Sequence, residues 1–210
     1  TIRHLPTHYS GRAPDLDLGF AWQGRQTGVR MLMNSAHQPP PGEQFVYSDL
    51  NFMALGLIVE RLSGQPLAAY AMEHILKPLG LHNSFFLPAS SYQNTIAPTQ
   101  YDENGHMLRG VVHDPTTRRM GGVAGHAGLF SCAQDTVSYA QALLNKLAGL
   151  PSACPLRAET LSLMSTPQQP ARKTHLRGLG LDIATHYSTA PGASFPSPSF
   201  GHPAFPAASV

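Results

Sequence analysis

The sequence has little charge and almost no cysteine, and both shortages narrow the possible functions. Charged residues make up 12% of the 210 positions, the formal net charge is +2, and there is no run of Lys and Arg. A nucleic acid or an anionic membrane surface would require concentrated positive charge, so neither is an expected partner. Two cysteines, Cys132 and Cys154, are too few for a disulfide framework. The sequence leaves open whether the two form a single disulfide bridge. The redox compartment therefore stays undecided as well.

Long apolar runs are also missing. No stretch approaches the roughly 20 apolar residues that cross a bilayer, and no signal-peptide pattern is present. We therefore expect no membrane segment in this chain. A hydrophobic content of 42% over 210 residues fits a single globular domain with a real core. Nineteen glycines and nineteen prolines place much of the chain in turns and loops, as in a mixed α+β protein with long connections.

The stretch from residue 40 to residue 64 organises the rest of the sequence. A proline-rich loop leads into a short extended run that ends at Tyr47, and Ser48 or Asp49 then caps an apolar helix that ends at Gly64. The free N–H groups and the dipole of a helix N-terminus favour negative charge. A phenol at that point can act as a proton shuttle. The alternative is a packed aromatic whose hydroxyl bonds to the backbone.

Apolar periodicity predicts further elements. Helices are indicated where apolar residues recur every three or four positions, and a strand where they alternate. Pro6 opposes the first helix because it lacks an N–H and clashes with the preceding turn. Asn104-Gly105 is typical of a hairpin turn. The predicted helices cover residues 1–8, 66–77, 134–147 and 156–164, a short amphipathic piece covers 29–33, and the strand covers 177–183.

Eleven histidines raise the question of a metal site or a catalytic dyad. His4 and His8 have the i, i+4 spacing of metal ligands, but no Glu lies between them and no third ligand is evident. His113 and Asp114 are adjacent, and neighbours in sequence cannot easily make the hydrogen bond that orients a catalytic base. Structural histidines are therefore the favoured interpretation in both cases, and no metal or organic cofactor is expected.

Several segments, in the same order along the chain, resemble the serine hydrolases that group with class C β-lactamases, low-molecular-weight penicillin-binding proteins and related esterases. Residues 1–11 resemble the family's T-I-R-H-L-L-T-H-x-S-G segment, and Tyr47-Ser48-Asp49 its Tyr-x-Asn motif, with Asp where Asn is usual. Further matches are P-L-G-L at 78–81, G-G-V-A-G-H-A-G-L-F-S at 121–131, G-L-G-L at 178–181 and F-G-H at 200–202.

The resemblance implies an α+β fold that forms part of a β-lactamase/transpeptidase-like α/β sandwich. It implies attack of a Ser hydroxyl on an amide, lactam or ester, an acyl-enzyme, and hydrolysis by water. The expected partner is thus a small-molecule, peptide or ester substrate, and an exported or periplasmic bacterial location is favoured. We expect residues 1–210 to form one incomplete domain of this type, without its nucleophile segment and its last strands and helix.

The resemblance also assigns candidate catalytic residues. It makes Tyr47 a general base or proton relay, and it makes His202, which stands in the place of Lys in the K-T-G motif, a group for the substrate carboxylate or the proton network. Asp49 would contact a substrate amide. Since Asp replaces a donor and acceptor by an anion, it would repel a substrate carboxylate, which favours an esterase-like or peptidase-like parent.

Two further segments are expected to border the substrate cleft. The glycine-dense loop at 121–131 lets backbone approach closely, and it carries Gly125 and His126. The strand after His202 carries Ala204 and Phe205, but it departs from the family pattern at Pro203, Ala204, Pro206 and Ala207. Proline has no N–H, so the expected oxyanion-hole donor after Gly201 is in doubt.

The nucleophile of such an enzyme is not found in this sequence. Acyl transfer in this family needs Ser-x-x-Lys, in which Lys takes the hydroxyl proton. The three lysines are preceded three places earlier by His74, Leu143 and Pro170, and no G-x-S-x-G motif is present. In relatives the S-x-x-K helix precedes the T-I-R-H segment, so the chain is expected to be a fragment that is inactive alone. The alternatives are a degenerate, non-catalytic binding protein and a histidine-based metallohydrolase.

Overall fold

The structure, a computed structural model, describes residues 1–102, 104–186, 188 and 199–202. Within these ranges helices dominate and strands are short. Turns of 3-10 type cover Ile2–His4 and Ser90–Thr95, and a π-type segment, Met72–Leu76, continues α3. In chain order the elements are α1 (Arg25–Asn34), α2 (Asp49–Ser63), α3 (Leu67–Ala71), β1 (Phe85–Phe86), α4 (Pro115–Arg119), β2 (Leu129–Phe130), α5 (Ala133–Leu147), α6 (Ala158–Ser165), β3 (Leu176–Arg177) and β4 (Asp182–Ala184). The α+β class is confirmed.

Helix α2 begins and ends where the sequence predicts. Ser48 is the N-cap, with extended backbone, although its hydroxyl donates to the carbonyl of Ala13 and does not cap the helix. Gly64 closes the helix at φ +71°, the left-handed region that glycine enters without a Cβ penalty. The buried face of α2 packs with α1 in the main core, which comprises Leu16, Trp22, Leu32, Leu50, Met53 and Met120, the residue after α4.

A second, smaller core lies between α5 and α6. Leu143 and Leu161 are buried there together with Cys154. The helices predicted at 134–147 and 156–164 are both confirmed as α5 and α6, whose bounds differ from the predicted ones by at most two residues. Cys154 and the half-buried Cys132 are free thiols in the structure, so the bridge that the sequence left open is not formed.

The predicted helix at 1–8 is wrong beyond its first turn. Only Ile2–His4 is helical, of 3-10 type, because Pro6 cannot donate to the next turn. His8 then takes φ +59°, a left-handed conformation that turns the chain out of helical geometry. The amphipathic piece at 29–33 is longer than predicted and belongs to α1.

The predicted strand at 177–183 is in fact a hairpin. β3 and β4 pair antiparallel, and the chain turns back through Gly178 and Gly180, the second of which has φ +91°. A single strand was predicted because the alternation of apolar residues continues through these glycines, which are the residues that permit the turn. The Asn104-Gly105 hairpin is confirmed by a bridge between Tyr101 and Met107.

Strand pairing brings the far end of the described chain to the centre of the molecule. Gly201 exchanges two backbone hydrogen bonds with Asp182 of β4, at 2.6 and 3.0 Å. This bridge carries His202 towards the N-terminus of α2. In the part of the chain that the structure describes, no helix combines the length and the apolar character needed to cross a membrane.

Candidate active site

The hydroxyl of Tyr47 and the imidazole of His202 form the centre of the candidate site. The Tyr47 Oη and His202 Nε2 atoms lie 3.0 Å apart, within hydrogen-bonding distance. Tyr47 immediately precedes the N-cap of α2, and His202 follows the residue that pairs with β4. Two residues that the resemblance made catalytic candidates are thus brought together from opposite ends of the chain.

The second ring nitrogen of His202 defines the direction of this hydrogen bond. His202 Nδ1 lies 3.1 Å from the carbonyl oxygen of Gly180, which can only accept. Burial and, next, the nearby Arg177 lower the pKa of His202, so the ring is neutral at pH 7. Nδ1 therefore carries the proton and donates to Gly180, and Nε2 accepts from the hydroxyl of Tyr47.

His8 supports the other face of the tyrosine. Its ring stacks on the ring of Tyr47 with centroids 4.4 Å apart and 23° between the planes. His8 Nδ1 accepts from the backbone N–H of Ser48 at 3.0 Å and from the Asn51 side-chain amide at 3.2 Å. Burial lowers the pKa of His8 to about 2, with a contribution from Arg177. His8 is thus an uncharged support for the phenol.

Arg177 lies behind the pair with its side chain fully buried. The guanidinium NH2 is 3.4 Å from His202 Nδ1, and NH1 is 3.7 Å from Oδ1 of Asp182, its cross-strand partner. Within the described residues, the Arg177 Nε and NH1 atoms have no hydrogen-bond partner. Burial lowers the pKa of Arg177, but a guanidinium stays charged in proteins. A positive charge is therefore held close to His202.

A second cluster forms where the loop at 121–131 meets α4. His126 Nε2 lies 2.9 Å from Asp114 Oδ1, and the His126 side chain is only 4% exposed. Asp114 also accepts from the N–H of Thr117 at 2.6 Å. Burial opposes both charges, yet their mutual hydrogen bond and attraction lower the pKa of Asp114 and raise that of His126. The two side chains form a buried ion pair.

Asp49 belongs to this second cluster. Burial raises the pKa of Asp49 to about 6, Asp114 and Asp15 add to the rise, and His126 opposes it. Ligand-type atoms of Asp49, Asp114 and His126 all lie within 4.8 Å of one another. His126 Nε2 is engaged with Asp114 in this arrangement, and Asp49 lies beside the ion pair.

Gly125 joins the two clusters. A Cβ at Gly125 would lie 2.0 Å from the carbonyl oxygen of Phe52, and Gly56 of α2 faces it across the same contact. The ring of Phe52 lies 5.8 Å from the ring of His202. The close contact between the two glycines therefore fixes the loop that carries His126 against the helix that follows Tyr47.

The structure places the sequence-predicted site residues in two groups. Tyr47 and His202 are hydrogen-bonded, while Asp49, Gly125 and His126 lie at the neighbouring contact between the loop and α2. Ala204 and Phe205, like the substituted positions 203, 206 and 207, lie outside the described residues.

Sequence reasoning missed two residues beside the phenol. The sequence indicates His8 as a structural histidine or as half of a metal pair and not as a neighbour of Tyr47, although its place in the resembling 1–11 segment is an available signal. The sequence predicts Arg177 only as the first residue of a strand. A basic residue next to a glycine-rich turn gives no signal of burial.

Comparison with known proteins agrees with this fold, which is that of the β-lactamase and penicillin-binding type. The family model described as Beta-lactamase matches residues 1–209, and the chain belongs to this family. An Escherichia coli K12 protein named "Putative D-alanyl-D-alanine carboxypeptidase" is 35% identical over 161 residues, which cover 69% of this chain and 36% of that protein.

A Salmonella schwarzengrund protein of the same name is 33% identical over 138 residues, which cover 59% of this chain and 32% of that protein. The chain thus spans about a third of the length of the curated relatives it matches.

Solved structures show the same fold. The penicillin binding protein from Bacillus halodurans superposes with a TM-score of 0.65 at 21% identity, over 87% of this chain and 57% of that one. The Beta-Lactamase/D-Alanine Carboxypeptidase from Pseudomonas syringae gives a TM-score of 0.62 at 18% identity, over 90% of this chain and 49% of that one. The predicted relation to the β-lactamase and penicillin-binding fold is confirmed.

Proposed function

We propose that this chain carries the proton-transfer part of a serine hydrolase that cleaves an amide, lactam or ester bond through an acyl-enzyme. The observation that supports this most strongly is the 3.0 Å contact between Tyr47 Oη and His202 Nε2. Carboxypeptidase-named relatives support a peptide or related acyl substrate. No cofactor takes part in the proposed reaction.

In this proposal Tyr47 relays protons between the nucleophile and the leaving group. Its oxygen accepts the proton of the attacking serine while its own proton moves towards Nε2 of His202, and the same path in reverse protonates the leaving group. A neutral His202 suits this proton network. It suits charge-based binding of a substrate carboxylate less well, because a neutral imidazole offers no charge.

The substrate-binding residues of the proposal are Asp49, Gly125 and His126, with Ala204 and Phe205, which follow His202 in the sequence. The buried His126–Asp114 pair supports such a role for the loop, since it holds the loop in place beside the first turn of α2. Asp49 adds negative charge at this contact when it ionises, and it would disfavour a substrate carboxylate there.

A second candidate is a non-catalytic chain that binds such substrates without cleaving them. The absence of S-x-x-K from the 210 residues supports it directly. Under the first proposal the nucleophile must be supplied by another segment, so the two candidates make the same prediction for the 210 residues alone. Neither should form a covalent adduct.

Two measurements on the 210-residue chain test the proposal. Intact mass after incubation with a fluorescent penicillin or a fluorophosphonate should show no adduct, and a labelled serine would contradict the assignment of the nucleophile. An N-acyl-D-alanyl-D-alanine peptide, titrated against the isotopically labelled chain, should perturb the NMR signals of Tyr47 and His202. Ligand-induced shifts confined to other residues, or none at all, would overturn the assigned site.

A further inference from the structure

Arg177 carries a buried positive charge that has no role in the reaction proposed above. Its side chain is 0% exposed and that of Asp182 is 3% exposed. Placing a guanidinium in the interior is costly unless hydrogen bonds and a counter-charge compensate it. Among the residues that the structure describes, the compensation is incomplete, because Arg177 Nε and NH1 have no hydrogen-bond partner there.

The ion pair with Asp182 is loose. NH1 and Oδ1 are 3.7 Å apart, beyond hydrogen-bonding distance. The other carboxylate oxygen, Oδ2, accepts from Thr185 Oγ1 at 3.1 Å and from Ser188 Oγ at 2.9 Å. One carboxylate oxygen of Asp182 thus bonds to neighbouring hydroxyl groups. The positive charge of Arg177 is only partly neutralised, and its electrostatic field acts on His202.

The positive charge of Arg177 acts on the hydrogen-bonded pair of Tyr47 and His202. Arg177 NH2 lies 3.4 Å from His202 Nδ1, whose proton is already donated to Gly180, so two N–H donors face each other and the contact is not a hydrogen bond. The positive charge of Arg177 disfavours the imidazolium form. It also favours negative charge on Tyr47, which interacts electrostatically with Arg177. Among the described residues, the charged and titratable side chains around the phenol include His8, His202 and Arg177, with Asp182 behind.

We propose that Arg177 is a positioning residue whose buried charge keeps His202 uncharged, so that His202 serves Tyr47 as a proton acceptor and does not hold a substrate carboxylate by charge. This inference rests on the proposed function, since it gives Arg177 its role through Tyr47. It deepens that function as well: a substrate needs no carboxylate opposite His202. The ring returns the proton to Tyr47 readily, because imidazolium beside guanidinium is unstable.

The test is an NMR titration of the chain without any substrate. The His202 ring is followed by proton–nitrogen correlation and the Tyr47 ring by carbon-13 at Cζ, with His202→Gln and Tyr47→Phe used only to assign the signals. The double variant Arg177→Met/Asp182→Asn removes the charge without leaving a buried unpaired carboxylate. Both midpoints should move to higher pH, that of His202 by about one pH unit or more.

Two matched variants separate this effect from a folding defect. Arg177→Lys keeps the charge and should keep the His202 midpoint near that of the wild type. Asp182→Asn alone removes the counter-charge and should move the His202 midpoint to lower pH, opposite to the double variant. A His202 midpoint that stays unchanged in Asp182→Asn overturns the inference, as does one that stays unchanged in a folded double variant.

Failure of this inference is distinguishable from failure of the proposed function. The titration requires no ligand, so the predicted shifts can appear even when the D-alanyl-D-alanine peptide does not bind, which would overturn the function alone. Peptide binding that perturbs Tyr47 and His202, together with unchanged titration midpoints, would overturn the role of Arg177 alone.

Discussion

The ring of His8 stacks on the ring of Tyr47 at 4.4 Å, burial keeps His8 neutral, and its Nδ1 accepts two hydrogen bonds. A protonated Nδ1 could accept neither of them. The phenol proposed as a proton relay therefore depends on a histidine that must not titrate near neutral pH. Protonation of His8 would break its contacts to the start of α2 and place a positive charge against the Tyr47 ring.

This relationship predicts a specific loss of stability in acid. The folded pKa of His8 is about 2, below the unfolded value near 6.5, so below pH 6.5 the unfolded state binds more protons than the folded state. Stability therefore falls as pH falls, by about 2–3 kcal/mol between pH 7 and pH 4.5 from this group alone. Urea unfolding across that range measures the slope.

The variant His8→Asn should remove most of this slope. Asn keeps an acceptor where Nδ1 stands, it tolerates the left-handed backbone at φ +59°, and it does not titrate. The exposed His106→Asn serves as the matched control. An acid-dependent slope that persists unchanged in His8→Asn would contradict the account of His8 as a buried neutral ring.

The carboxyl of Asp49 predicts the opposite kind of pH dependence. Its folded pKa of about 6 exceeds the unfolded value of 3.8, so between these values the folded state binds more protons and stability falls as pH rises. Asp49→Asn should raise the free energy of unfolding by about 1–3 kcal/mol at pH 8, and by much less at pH 4. Urea unfolding at the two pH values measures it, with the exposed Glu43→Gln as control. Equal effects at both pH values would refute the assignment.

The close contact between Gly125 and α2 predicts an intolerance to any side chain. A Cβ at Gly125 would lie 2.0 Å from the backbone oxygen of Phe52, and backbone cannot move aside as a flexible side chain can. We expect Gly125→Ala to destabilise the fold by about 2 kcal/mol or more. Gly19→Ala is the control, because its nearest neighbour is the mobile Asp17 side chain at 3.0 Å. Similar thermal unfolding midpoints for the two variants would show that this contact does not hold the 121–131 loop against α2.

Much of this arrangement follows from the sequence, and its limits have physical causes. The bounds of α2 could be predicted because Ser48 and Gly64 act within one turn of the helix ends. Tyr47 and His202 could be named through resemblance alone, since no periodicity links residues 155 positions apart.

What the sequence did not predict depends on distant pairing. The sequence gives no partner for Asp114 beyond the disfavoured neighbour His113, and the structure pairs it with His126, whose loop returns to the start of α4. Arg177 gave no sign of burial, because its environment is created by a hairpin and by the approach of residue 201 to β4. Short strands that pair through glycine turns carry too few residues for alternation to define them.

Proton transfer by Tyr47 in an acyl-transfer reaction is tested by the rate at which a fluorescent penicillin acylates the complete gene product. Tyr47→Phe keeps the ring on His8 and removes only the hydroxyl, while Tyr101→Phe changes an exposed tyrosine, 66% accessible, as the matched control. We predict acylation at least about 100-fold slower in Tyr47→Phe and unchanged in Tyr101→Phe. Acylation of Tyr47→Phe at the wild-type rate, or no acylation of the wild-type product, would contradict this role of Tyr47.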